Sequence, residues 1–184
     1  APRSWKPSVP PGTSALAGGV AVMGGALAWQ ARDVIKPALP TALGGVSADP
    51  APEFSLRDLQ GEIVTLSSFR GNSVVILDFW ATWCGPCKAT LPSMHTLRAK
   101  YRGKGVEVLN VNIQEENEQV SSYLSREGLD LRVPMDKQGL IARSYSVNAI
   151  PALFVIDKRG GIASKFVGNQ PGLEERLEDL IKKL

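Results

Sequence analysis

The stretch Val74-Val75-Ile76-Leu77-Asp78-Phe79-Trp80-Ala81-Thr82-Trp83-Cys84-Gly85-Pro86-Cys87-Lys88 joins an apolar run to the only two cysteines of this 184-residue chain. Its first seven residues are mostly aliphatic or aromatic and follow a turn signal, so they predict a buried central strand. A helix is predicted directly afterwards, because Pro86 suits a first helical turn and apolar side chains recur at helical spacing up to Tyr101. The order strand, cysteine pair, helix predicts an α/β fold.

The two cysteines stand at the predicted start of that helix. Free backbone N–H groups and the positive end of a helix dipole favour a thiolate over a thiol. Cys84 is therefore predicted to be the nucleophile. Cys87, one turn further along and better shielded, is predicted to be the resolving thiol. The spacing predicts a redox-active dithiol.

A cysteine pair at this spacing has three other possible uses. A c-type haem site requires His directly after the second cysteine, where this chain has Lys88. A structural zinc site needs four ligands, and His95 is the only histidine. A permanent structural disulfide would close a loop too small to stabilise much. Zinc binding and a structural disulfide stay open as less favoured alternatives.

Asp78 interrupts the apolar strand six residues before Cys84. Burying an ionisable group is costly, so its presence indicates a partner or a chemical task. If it lies beneath the dithiol, its carboxylate is predicted to accept the proton of Cys87 as that thiol attacks. The alternative is an aspartate at a strand edge that reaches solvent.

A second apolar run, Ala152 to Ile156, follows Ile150-Pro151 directly. Proline is tolerated at a strand start, where it need not donate to the ladder. A tight turn at this point is compatible with a cis peptide bond, which the sequence alone does not require.

Residues 52–184 resemble the thioredoxin superfamily, and within it the membrane-tethered TlpA/ResA/CcmG-like thiol:disulfide oxidoreductases. The motif from Asp78 to Lys88 carries the resemblance, and Pro92 matches the kinking proline of the family's active-site helix. The resemblance implies a thioredoxin-like fold with a mixed central sheet flanked by helices. It also implies an N-terminal hairpin over residues 54–71 and a TlpA-type insertion over residues 114–133.

The same resemblance implies a substrate site and partners. Pro151 matches the family's cis-proline opposite the dithiol, and Gly168 matches a glycine that keeps the rim of the substrate groove low. The implied substrate-binding residues are Trp83, Gly85, Pro86, Ile150, Pro151 and Gly168. No metal and no cofactor are implied beyond the Cys84–Cys87 disulfide. The implied partners are disulfide-containing protein substrates and a membrane thiol electron donor.

The chain departs from this branch at two positions. Many members have glutamate where this chain has Thr90, and many have Asn where it has Asp78. The acid/base group is therefore predicted to have moved from helix to strand. The Gly-Pro dipeptide between the cysteines is that of thioredoxin, whose potential of about −270 mV is reducing, so a reductase is favoured.

The composition changes near residue 50. We predict a tail over residues 1–13, a transmembrane anchor over 14–31, a Pro/Gly-rich linker over 32–52 and a thioredoxin-like domain over 53–184. Residues 14–31 contain no charged side chain and would span about 27 Å as a helix. A signal-like segment and a flexible linker are the alternatives for this stretch.

The location of the domain follows from the resemblance. Basic residues are balanced across the predicted anchor, so charge does not set its orientation. The resemblance implies a catalytic domain on the extracytoplasmic side, periplasmic or lumenal. Residues 53–184 carry nearly equal numbers of acidic and basic side chains, so nucleic-acid binding has no support.

Two further functions were weighed. Glycines and alanines in the predicted anchor form a small-residue face, so the chain is alternatively an accessory subunit of a membrane complex, with the thioredoxin-like head as an interaction module. A peroxide-reducing role is suggested only by the upstream hairpin. It lacks the Pro and Thr expected before a peroxidatic cysteine.

Overall fold

A computed structural model describes residues 49–184. The predicted tail 1–13, the predicted anchor 14–31 and nearly all of the predicted linker 32–52 lie outside the described residues. Between Asp49 and Leu184, no helix has both the length and the apolar character needed to cross a membrane.

The centre of the fold is a mixed five-stranded sheet in the order β5-β4-β3-β6-β7. Its strands are β3 (Val74–Trp80), β4 (Val106–Ile113), β5 (Met135–Asp136), β6 (Ala152–Ile156) and β7 (Ile162–Val167). β3, β4 and β5 run parallel, whereas β6 is antiparallel to β3 and to β7. The predicted mixed sheet is confirmed.

β3 is the middle strand, and all seven of its side chains are buried. Such a strand reads as a continuous apolar run because it has neighbours on both edges and layers on both faces. Its one ionisable residue, Asp78, is in register with Asn110 of β4 and Leu153 of β6. The sheet therefore places a carboxyl group at its centre.

Within residues 49–184 four α-helices accompany the sheet, in agreement with the predicted fold: α1 (Gly85–Tyr101), α2 (Asn117–Glu127), α3 (Leu140–Ser144) and α4 (Leu173–Ile181). α1 buries one stripe that includes Cys87, Leu91, Met94 and Leu97. α2 lies within the predicted insertion over residues 114–133, and β5 begins just after it. The centre of the Tyr123 ring of α2 lies 5.9 Å from that of the Trp80 ring.

The predicted N-terminal hairpin is formed by β1 (Ser55–Arg57) and β2 (Ile63–Thr65), which pair antiparallel. Phe54, Val64 and Leu66 of this region are buried in the common core. The Tyr145 hydroxyl donates a hydrogen bond of 2.8 Å to the carbonyl oxygen of Pro52. The hairpin region is thus held to the core by apolar packing and by this part-buried hydrogen bond.

Candidate active site

Cys84 and Cys87 lie where the carboxyl end of β3 passes into α1. Cys84 is the N-cap residue of α1, and the backbone N–H of Cys87 donates to its sulfur at 3.2 Å. The two cysteines form a disulfide with their Cα atoms 5.3 Å apart. Cys87 is fully buried and Cys84 is 5% exposed. An N–H group that meets the sulfur in this way favours a thiolate when the disulfide is reduced.

The loop before β6 meets the dithiol from the other side. The Ile150–Pro151 peptide bond is cis, and the carbonyl oxygen of Ile150 lies 3.7 Å from Cys84 Sγ. The N–H of Gly168 donates to the carbonyl oxygen of Pro151 at 2.8 Å. Because β6 is antiparallel to β3, its first residues stand at the same end of the sheet as the last residues of β3. This topology brings the two distant segments together.

The predicted substrate residues differ in exposure. Trp83 is 41% exposed, which is high for a tryptophan, and Gly85 and Pro86 are also exposed. Ile150 and Gly168 are partly exposed, whereas Pro151 is buried. A Cβ atom added to Gly168 would have no protein atom within 4 Å. No side chain within residues 49–184 therefore fills the space in front of Gly168.

Asp78 is completely buried, so the alternative of an aspartate reaching solvent is wrong. Its Oδ2 accepts a hydrogen bond of 2.9 Å from Asn110 Nδ2, and its Oδ1 has no partner among the described residues. Burial raises the pKa of Asp78 from 3.8 to about 7, and the hydrogen bond from Asn110 opposes that rise. A carboxyl group with this pKa gains and loses its proton near neutral pH.

Thr90 is the position at which the chain departs from the glutamate of many TlpA/ResA/CcmG-like proteins. It is 3% exposed, and its hydroxyl donates to the carbonyl oxygen of Cys87 at 2.8 Å. The side chain therefore satisfies the helix backbone next to the resolving cysteine and offers no ionisable group. Asp78 is the carboxyl group that the chain buries in the strand leading to the dithiol.

Sequence reasoning missed two polar residues that bond to Asp78 and to the turn before Cys84. Asn110 is the hydrogen-bond partner of Asp78, and Glu115 holds the backbone N–H of Thr82 at 2.7 Å. The available signal was a pair of asparagines, Asn110 and Asn112, in a strand whose other residues are apolar apart from Glu107. Buried amides of this kind indicate polar partners on neighbouring elements.

His95, considered above as a metal ligand, lies on α1. Its Nδ1 accepts a hydrogen bond of 2.9 Å from the backbone N–H of Asp130. Within residues 49–184, no group of three or more His, Cys, Asp or Glu side chains is placed to hold a metal ion.

Comparisons with known proteins agree with this geometry. A sequence model of the AhpC/TSA family matches residues 47–165. The chain is 37% identical over 134 residues to a thiol-disulfide oxidoreductase ResA of Bacillus thuringiensis subsp. konkukian (strain 97-27), covering 73% of this chain and 76% of the relative. It is 37% identical over 132 residues to the ResA of Geobacillus kaustophilus (strain HTA426), covering 71% and 75%.

Solved structures give the same picture. A Chlorobium tepidum protein, reported as a thiol:disulfide interchange protein DsbE, superposes with a TM-score of 0.68 at 37% identity, covering 75% of this chain and 96% of that one. StoA from Bacillus subtilis superposes with a TM-score of 0.60 at 25% identity, covering 70% and 96%. The chain therefore belongs to the AhpC/TSA family and, within the thioredoxin superfamily, to the ResA-type thiol-disulfide oxidoreductases.

Proposed function

We propose that this chain is a membrane-tethered thiol:disulfide oxidoreductase that reduces protein disulfides through Cys84 and Cys87. The observation that carries the proposal is the position of Cys84. Its sulfur receives the N–H of Cys87 at 3.2 Å and lies 3.7 Å from the carbonyl oxygen of Ile150. One neighbour favours the thiolate, and the other offers backbone beside which a substrate peptide can lie.

The reaction proceeds in two exchange steps. The Cys84 thiolate attacks one sulfur of the substrate disulfide, forms a mixed disulfide and releases the other substrate sulfur as a thiolate. Cys87 then loses its proton and attacks the Cys84 sulfur, which releases the second substrate thiolate and closes the Cys84–Cys87 disulfide. Two electrons pass to the substrate. A membrane thiol electron donor then reduces the pair again.

Asp78 is proposed as the acid/base group of the second step. Cys87 is fully buried, so its proton has no direct route to bulk water. The pKa of Asp78, raised by burial to about 7, suits acceptance of that proton near neutral pH. Oδ1 of Asp78 has no hydrogen-bond partner among the described residues, so this oxygen is available to accept the proton.

The substrate is proposed to dock on the open surface beside the dithiol. Trp83, Gly85 and Pro86 contribute from the α1 side, and Ile150 with Pro151 contributes backbone from the β6 side. Gly168 leaves the rim free of any side chain. The Gly-Pro dipeptide between the cysteines supports the reducing direction.

The predicted anchor and the family resemblance support a location at the membrane, with the catalytic domain on its extracytoplasmic side. Expression of the full chain in a bacterial host tests this. We expect the protein to stay in the membrane after an alkaline carbonate wash and to be digested by protease added outside spheroplasts. Release by the wash would contradict the tether, and protection from protease would contradict the orientation.

Trapping tests the thiol chemistry. Full-length Cys87→Ser cannot resolve a mixed disulfide, so it should accumulate discrete cysteine-containing partners linked to Cys84 in native membranes. A matched control, Cys84→Ser with Cys87→Ser, should trap none. No partner specific to Cys84, together with recovery of the chain in one stoichiometric non-covalent membrane complex, would favour the accessory-subunit function instead.

A further inference from the structure

Glu115 is a buried carboxylate in the segment between β4 and α2, and it is 6% exposed. Each of its oxygens accepts two hydrogen bonds. Oε1 accepts from the Thr82 hydroxyl and from Gln119 Nε2 at 2.6 Å, and Oε2 accepts from the Thr82 N–H at 2.7 Å and from Asn112 Nδ2 at 2.7 Å. No ion pair of the described residues includes Glu115. Four neutral donors therefore satisfy this carboxylate.

The direction of these bonds at Thr82 is fixed. Gln119 Nε2 donates to the Thr82 hydroxyl oxygen at 3.0 Å, so the hydroxyl proton is directed to Glu115. The N–H and the O–H of one residue are thus both held by one carboxylate. Thr82 is 8% exposed, so water competes little for either bond.

Thr82 lies in the segment that connects β3 to α1. The N–H of Cys84 donates to the carbonyl oxygen of Ala81 at 3.1 Å, which closes a turn with Thr82 and Trp83 as its two central residues. The turn ends on Cys84, the N-cap residue whose sulfur receives the N–H of Cys87. Any movement of the turn therefore moves that sulfur relative to the start of α1.

We propose that Glu115 is a positioning residue of the dithiol: through Thr82 it fixes the Ala81–Cys84 turn and so holds the Cys84 sulfur against the N–H of Cys87. The inference rests on the proposed function for its biological meaning, but it concerns the state of one thiol and does not require turnover. It also joins α2 to the active site, because Gln119 of that helix contacts both Glu115 and Thr82.

Two other roles for Glu115 predict different results. If the carboxylate acted only through its charge, removing the charge would make the Cys84 thiolate easier to form. If it only stabilised the fold, its loss would lower the unfolding temperature and leave the thiol unchanged. If it positions the sulfur, its loss weakens the N–H contact and makes the thiolate harder to form.

The experiment measures the pH midpoint of Cys84 alkylation by iodoacetamide in full-length Cys87→Ser protein, well below the unfolding temperature. In this background we expect Glu115→Gln to raise the midpoint by about half a pH unit or more, because the thiolate loses part of a hydrogen bond that favours it. Thr82→Val keeps the carboxylate and removes only the hydroxyl, so it should raise the midpoint by a smaller amount. Thr82→Ser keeps both donors and should restore the wild-type midpoint.

Asp58→Asn is the matched control. Asp58 is 3% exposed, and its Oδ1 accepts backbone N–H bonds from Gln60 and Glu62 in the hairpin, so its loss should destabilise the fold without moving the midpoint. The other titratable groups on β3, α1 and β7 are Asp78 on β3, Lys165 on β7, and Lys88, His95, Arg98, Lys100 and Tyr101 on α1. Every variant retains them. A lowered or unchanged midpoint in Glu115→Gln would overturn the proposal. If Glu115→Gln does not fold, an unchanged midpoint in Thr82→Val would overturn it instead. Trapping of substrates is unaffected by either result, so the two proposals fail separately.

Discussion

Asn110 Nδ2 donates a hydrogen bond of 2.9 Å to Asp78 Oδ2 across the two middle strands of the sheet. Burial raises the pKa of Asp78 and the hydrogen bond from Asn110 opposes that rise, with a resulting pKa of about 7. Among residues 49–184, Asn110 is the only side chain that donates a hydrogen bond to Asp78. The hydrogen bond from Asn110 therefore allows the buried carboxyl group of Asp78 to ionise near neutral pH.

The stability of the oxidised protein should depend on pH through Asp78. Its folded pKa of about 7 exceeds its ordinary value of 3.8, so between these values the folded state keeps a proton that the unfolded state has lost. The stabilising contribution is complete below about pH 4 and is lost as the pH rises to about 7. Asp78→Asn should therefore stabilise the chain above about pH 7, by at most about 4 kcal/mol, and change it little at pH 4.

Urea unfolding of the wild type and of Asp78→Asn, at about pH 4, 6 and 8, measures this difference. Because the cysteines are joined in the oxidised protein, no thiol titrates in the folded state. A difference in unfolding free energy that is the same at all three pH values would contradict a raised pKa for Asp78.

Resolution by Cys87 should be slower without the carboxyl group. Asp78→Asn is expected to reduce the rate at which Cys87 resolves a preformed mixed disulfide on Cys84 by about 100-fold at neutral pH, a size typical of general-base catalysis. Stopped-flow release of a fluorescent peptide thiol gives the rate. The resolution rate of the wild type, plotted against pH, should show a step near pH 7 that Asp78→Asn lacks. If Asp78→Asn keeps the step, another group is responsible for it.

Asn110→Leu tests the same site with the carboxyl group intact. Because the hydrogen bond from Asn110 lowers the pKa of Asp78, its removal should move the step in the resolution rate to higher pH. The maximum rate at high pH should change less than in Asp78→Asn. An unmoved step would mean that Asn110 does not tune the acid.

The sequence predicted the elements that depend on local pattern. β3 has the predicted bounds, because it is a short run of strand-forming residues that follows a turn signal. The start of α1 was also predicted, since Pro86 and the apolar spacing after it point to the same helix. The thioredoxin-like arrangement of the sheet came from the resemblance, and strand spacing alone does not give it.

Local sequence pattern does not predict the polar contacts of the site. Thr82 and Glu115 are 33 positions apart, and Asp78 and Asn110 are 32 apart. Each pair meets only because β3 and β4 are parallel neighbours with a fixed register. An acidic residue just after a strand is common on protein surfaces, so the burial of Glu115 had no signature in its own segment.

Tyr145→Phe should destabilise the fold without affecting the dithiol. The buried hydroxyl donates to the carbonyl oxygen of Pro52, and the variant leaves that oxygen without this donor. We expect a loss of about 1 to 2 kcal/mol in the free energy of unfolding. Tyr101→Phe, on a partly buried tyrosine whose hydroxyl has no hydrogen bond within the described residues, is the control and should change stability little. Equal effects of the two variants in urea would contradict a specific role for the Tyr145–Pro52 bond.

Gly168→Ala separates backbone strain from substrate contact. Gly168 has φ of 78° and Gly61 has φ of 84°, and at both positions an added Cβ would have no protein atom within 4 Å. Alanine at either position should therefore cost a similar strain of about 1 to 2 kcal/mol, which thermal unfolding measures. Gly168 is bonded through its N–H to the carbonyl oxygen of Pro151, which follows the Ile150 carbonyl beside Cys84, whereas Gly61 lies in the β1–β2 hairpin. Gly168→Ala should raise the KM for a protein disulfide such as insulin, because the new methyl group occupies space in the proposed substrate groove. Gly61→Ala should leave this KM unchanged.

The rate with a small disulfide should be the same in both variants, because a small molecule does not need the groove. If both variants raise KM equally, the cause is strain in the fold, and Gly168 has no part in docking the substrate.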